Sequence, residues 1–168
     1  MTTQNDYSAE EWNTILQAPG FAVTFIIQSA TYSQAVALTK MLTGIEAIVQ
    51  TAEAEPGCDL VQSVRAAIMS GQRPRYPAYI PANLGEARQV MLRGCRQAVA
   101  LLAQRAPEDE ANAYLGWILE IVRIVAAVPS EPAAPGHSAE ETSRQTHAAI
   151  ELLARELGLG ALTLALCP

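Results

Sequence analysis

Residues 107–128, PEDEANAYLGWILEIVRIVAAV, constrain this chain more than any other stretch. After an acidic first turn nearly every position is apolar, and a helix that is apolar all round has to be buried all round. The only charges past that turn, Glu120 and Arg123, are three apart, so they share a face and can pair with each other. The segment is too interrupted by them to span a bilayer, which takes roughly 20 apolar residues. It predicts the central helix of a bundle.

The rest of the chain agrees with an all-α class. Aromatic residues are 5% of the sequence and half of it is hydrophobic, with alanine and leucine dominant, which favours helices over strands. At 168 residues one domain, 1–168, can bury a sufficient core without staples. The three cysteines, Cys58, Cys95 and Cys167, are far apart and lack metal or disulfide spacing, so they read as reduced thiols of a cytoplasmic protein. No leader-like apolar segment follows the polar start.

Helix punctuation divides the chain into about seven helices. SAEE at 8–11 is a capping box that opens a short helix carrying Trp12, Ile15 and Leu16, and Pro19 is expected to end it and start a second, with Phe21, Ala22, Phe25 and Ile26 inward. A cap at Thr31 opens the third. Its apolar stripe of Val36, Leu38, Met41, Leu42, Ile45, Ile48, Val49 and Ala52 is expected to face the core, leaving Lys40, Thr43, Glu46, Gln50 and Glu53 to solvent. Asp59 caps a fourth helix stopped by Gly71. A fifth, capped by Asn83, turns Leu84, Ala87, Met91, Cys95, Ala98 and Leu102 inward and forms a hairpin with the central helix. The last starts at Ser138, places Thr146, Ile150, Leu153 and Leu157 inward and stops at Gly158. Residues 129–137 form a Pro/Ala linker, and the apolar tail 159–168 has to be covered by the bundle or by another subunit.

Three segments, SAEEWNTILQAP, ALLAQRAPEDEANAYLGWILEIVRIVAAV and SAEETSRQTHAAIELL, resemble an all-helical bacterial family with no assigned activity. That family is in turn similar to the TerB-like tellurite-resistance bundles. In those, an acidic motif between the second and third helices implies a metal-linked role. The corresponding residues 28–34, QSATYSQ, hold no carboxylate, so the resemblance implies the fold and carries over no functional residue.

Charge is the strongest functional signal. Residues 1–64 and 106–168 each carry net −6, while residues 65–105 carry +6. The basic middle contains the proline-rich loop 71–83, GQRPRYPAYIPAN, long for a connection inside a domain. Arg73, Arg75, Arg88, Arg93 and Arg96, with Tyr76 and Tyr79 for stacking, are the candidate set for an anion or small-molecule site. An overall charge of −6 argues against nucleic acid, and arginines that meet the chain's own acidic helices are the plainer account.

The other candidates are thinner. His147 and Glu151, one turn apart, could offer two metal ligands, but no further pair accompanies them and His137 lies in the linker. Glu120 lacks the second acid, base or nucleophile that a mechanism requires, and Cys95 sits on an apolar stripe where a cysteine serves as a small hydrophobe. No catalytic residue, metal or cofactor is therefore assigned. The expected function is a non-enzymatic interaction or scaffold protein that associates with itself as a homodimer or with another protein, through the tail or the last helix. A binder of small molecules or anions is the alternative, with a nucleic-acid binder or an enzyme third.

Overall fold

The computed structural model describes residues 2–76, 78, 80–129 and 138–159. Among these it is all-helical, with six α-helices and a 3-10 turn at Gln4–Asp6. The helices are α1 (Ala9–Ile27), α2 (Gln34–Glu53), α3 (Asp59–Met69), α4 (Leu84–Arg105), α5 (Glu108–Ala127) and α6 (Ala139–Glu156). None is long and apolar enough to cross a membrane. Residues 130–137 of the linker and all of the apolar tail beyond Leu159 lie outside the described residues.

Six helices stand where about seven were expected, because Pro19 does not end α1. Proline has no N–H to give to the carbonyl four residues back, which is that of Ile15. The Tyr114 hydroxyl, arriving from α5, donates to that carbonyl at 2.6 Å in a fully buried position. The gap in the helix's hydrogen bonding is filled from another helix, and the chain continues as one rod.

The core is centred on two helices instead of one. α1 packs against α2, α4, α5 and α6, and α5 packs against all five other helices. α1 buries both expected groups, Trp12, Ile15 and Leu16 below Pro19 and Phe21, Ala22, Phe25 and Ile26 above it. α5 buries Tyr114, Leu115, Ile118, Ile121, Val122 and Val125, the predicted inward set. Close approach of α1 and α4 depends on Gly94, since a Cβ there would run into the Phe21 ring. On α4, Cys95, Ala98 and Leu102 are buried as expected, but Leu84 at the first turn is 53% exposed.

The first half of α2 is turned the other way from its predicted orientation, while Ile48 and Ala52 face the core and Glu46, Gln50 and Glu53 face solvent as expected. Lys40, Gly44, Ala47 and Ala52 are buried, while Leu38, Met41, Leu42 and Ile45 are exposed. Gly44 lies so close to Val23 of α1 and Val125 of α5 that a Cβ would overlap Val23. At that crossing point only a small residue fits. The helix also begins later than the sequence suggests, with Ser33 as its N-cap, accepting from the Val36 N–H at 3.3 Å.

Local stops follow the sequence closely. Gly71 and Gly158 have φ of 86° and 75°, the left-handed conformation that glycine adopts freely. The amides after them, Gln72 and Leu159, donate back to the carbonyls of Ala67 and Ala154 at 2.9 and 2.8 Å, which closes α3 and α6.

Candidate functional site

The Gly71 turn sends the chain out of α3 as an extended arm, residues 72–76, that runs along α1 and is fastened to it at three points. The Trp12 indole donates to the Gln72 side chain at 3.4 Å. Asn13 clasps the backbone of Arg75 in both directions, its oxygen accepting from the Arg75 N–H at 2.7 Å and its amide donating to the Arg75 carbonyl at 3.0 Å. Gln17, one turn on, donates to the same carbonyl. Tyr76 packs edge-on against Phe21 with ring centroids 5.3 Å apart, and its hydroxyl occupies the space left by the absent side chain of Gly20. Burial there pushes the Tyr76 phenol above its ordinary value.

Between this arm, the start of α1 and the 3-10 turn lies a cavity of about 430 Å³. Its apolar wall comes from Tyr7, Trp12 and Leu16, all buried, with the two rings 6.2 Å apart. Gln4, Asn5 and Gln72 supply side-chain amides, and Arg73 and Arg75 line it as well. Among the described residues no carboxylate lines it.

The other basic residues go elsewhere. Arg88 donates to the Gln28 carbonyl at the end of α1, through Nε at 2.9 Å and through Nη2. Arg96 pairs with Glu156 of α6 at 3.3 Å, Arg105 with Glu11 of α1 at 3.5 Å, and Arg65 with Glu53 of α2 at 2.5 Å. Thus the basic middle of the sequence does meet its acidic ends, across helices. Arg93 is exposed on α4, away from the cavity lining. Of the predicted set, the cavity brings together Arg73 and Arg75, Tyr76 is packed against α1, and Tyr79 lies outside the described residues.

Glu120 and Arg123 contact each other at 3.8 Å on the outer side of α5, with side chains 56% and 39% exposed. They line neither described cavity. His147 and Glu151 likewise meet at 3.4 Å on an exposed face of α6, and His137 is outside the described residues. Among the described residues no three His, Cys, Asp or Glu side chains gather as a metal site would require.

A smaller cavity, about 150 Å³, lies beside Cys58 and Glu110. Both Glu110 oxygens accept from the Thr2 N–H, at 2.9 and 2.8 Å, and one also from the Thr2 hydroxyl at 2.9 Å. The Leu60 N–H reaches it at 3.3 Å, so this carboxylate ties the N-terminal segment to the start of α3. Burial raises the Cys58 thiol above its usual range, the opposite of what a nucleophile needs.

Cys95 is more extreme: burial pushes its thiol up to about 12 from an ordinary 9.0. A folded-state value above the unfolded one means that the unfolded chain loses its proton first. The stability associated with Cys95 is therefore complete below pH 9 and disappears as pH rises towards 12, with a limiting slope of ~1.4 kcal/mol per pH unit. The unfolding free energy of Cys95→Ala, taken from urea titrations at a series of pH values across this window, is expected to fall less steeply with pH than that of the parent. Parallel slopes would show that the thiol stays protonated in both states or ionises equally in both.

No family model, no curated protein and no solved structure matches this chain. Its described residues form an all-helical bundle, an arm-walled cavity with two arginines, and an apolar face of α2 exposed among the described residues.

Proposed function

We propose that this protein is a non-enzymatic interaction module that pairs with a second copy of itself through the outer face of α2. The observation that carries this reading is the apolar stripe Leu38, Met41, Leu42 and Ile45, which are 61%, 42%, 58% and 58% exposed. Their spacing of i, i+3, i+4 and i+7 is that of a helix face made to pack against another helix. Scattered exposed leucines need no explanation, but a contiguous stripe does.

A second copy suits this face better than a charged partner. From residue 31 to residue 45 the only Lys, Arg, Asp or Glu is Lys40, and its side chain is buried on the other side of the helix. A two-fold pairing would bring one uncharged stripe against its twin, burying no charge and opposing no like charges. Glu46 and Gln50, hydrogen-bonded to each other at 2.7 Å, then fall at a polar rim. Two turns of helix supply a few hundred Å² per copy, so the flanks of α2 must contribute to reach the ~800 Å² per partner typical of stable complexes.

Light scattering on the purified chain is expected to give a dimer. Leu42→Glu with Ile45→Glu should give a monomer of unchanged helicity, because both positions already face water. A parent that stays monomeric at ~100 µM, well above the Kd of a typical specific complex, rules out the pairing.

A further inference from the structure

The geometry points to the cavity under the 72–76 arm as a binding site for a small organic carboxylate. The site is built from residues other than those of the α2 face and does not depend on self-association. Three observations lead to it.

First, the composition of the cavity is the reverse of the protein's. The chain carries −6 overall, yet two arginines and no Asp or Glu line this space. Arg65, Arg96 and Arg105 are each paired with an acidic side chain, whereas neither the Arg73 nor the Arg75 guanidinium has an acceptor among the described residues. Guanidinium groups bind carboxylates through paired parallel hydrogen bonds. Second, the amides are turned the same way. Gln72 accepts from Trp12 through its oxygen, so its NH2 remains to donate beside the arginines. Third, the opposite wall is aromatic and fixed. Trp12 and Tyr7 are 2% and 8% exposed, and the Tyr7 hydroxyl is engaged with Thr2 at 3.0 Å, so this wall is packed in place and the accessible groups of the cavity are its polar ones. A volume of about 430 Å³ admits one small molecule and lies within the usual range of ligand pockets. The clasp on the Arg75 backbone holds the cationic wall in place before a ligand arrives, which reduces the entropy cost of binding.

Trp12 also supplies the readout. The chain has two tryptophans, and the indole N–H of Trp117 is bonded to Thr51, remote from the cavity lining. Titration of the 15N-labelled protein with phenylacetate and with indole-3-acetate is expected to move the Trp12 indole cross-peak saturably, with Kd between about 10 µM and 1 mM, and to leave that of Trp117 in place. Arg73→Gln with Arg75→Gln should weaken binding at least ~tenfold while helicity is unchanged. Benzamide and inorganic phosphate, which have an organic body without the charge and the charge without an organic body, should not saturate the site. The proposal is overturned if neither carboxylate shifts Trp12 at ~10 mM, if the double variant binds equally well, or if benzamide or phosphate binds as tightly.

Discussion

Tyr114→Phe is expected to lower the unfolding free energy by ~1–3 kcal/mol although it removes a single oxygen atom. That oxygen is the donor to the Ile15 carbonyl, and Pro19 has no N–H to take its place. Without it a carbonyl is left unpaired at a site where the tyrosine is fully buried and water has no access. The partner variant makes the explanation specific. Pro19→Ala returns an N–H to α1 in register with Ile15, so the same Tyr114→Phe change should cost much less in that background. Urea unfolding of the four proteins would give a coupling energy of ~1–2 kcal/mol. Additive effects would mean that the hydroxyl and the proline act independently, and the account of the unbroken helix would be wrong.

The same pair explains where reading the sequence failed. Proline is a reliable local sign of a helix boundary, and at Pro19 the local rule is overridden by Tyr114, 99 positions from the Ile15 carbonyl it bonds. No pattern within a window around Pro19 contains Tyr114. By contrast, Gly71, Gly158 and the Ser8 capping box act through their own neighbours, and the structure uses all three as the sequence suggests. Inward faces of α1 and α5 were also legible, because each has one dominant set of large apolar side chains. α2 has two usable faces, and periodicity reports the larger one. Which face turns inward is decided by spacing: Gly44 and Ala47 permit close approach to Val23 and Val125, and Leu38, Leu42 and Ile45 do not. The cavity was half visible. Arg73 and Arg75 stood out by charge, but its aromatic wall comes from Tyr7 and Trp12, more than sixty residues earlier. The available hint was Asn13 and Gln17, two amides one turn apart on a mostly apolar helix and able to hold an extended backbone.

Lys40→Met should be among the most damaging substitutions in the protein, at ~2–4 kcal/mol, although methionine fills similar space and is the more natural residue to bury. Lys40 is the chain's sole lysine and is fully buried. Its ammonium donates to the carbonyls of Val125, Ala126 and Val128 at 3.0, 3.4 and 3.0 Å, at the end of α5 where carbonyls lack donors four residues on; Val125 also accepts from the Val128 N–H at 3.3 Å. A cation is also favoured at the negative end of a helix dipole, and the ring of Tyr32 lies 4.8 Å from the ammonium. Replacing both sides of a buried polar contact by apolar groups can be harmless, but here the carbonyls belong to the backbone and remain. The burial that makes these bonds strong also lowers the lysine's pKa below its ordinary 10.5. Between that lowered value and 10.5 the unfolded chain holds a proton that the folded one has released, so this group makes stability rise with pH. Cys95 acts in the opposite sense above pH 9. Because Cys95 is common to both proteins, its effect cancels in the difference between parent and Lys40→Met, and that difference is expected to widen as pH rises towards 10.5. A constant gap would mean that Lys40 titrates as it does in water, and would remove it from the interior of the bundle.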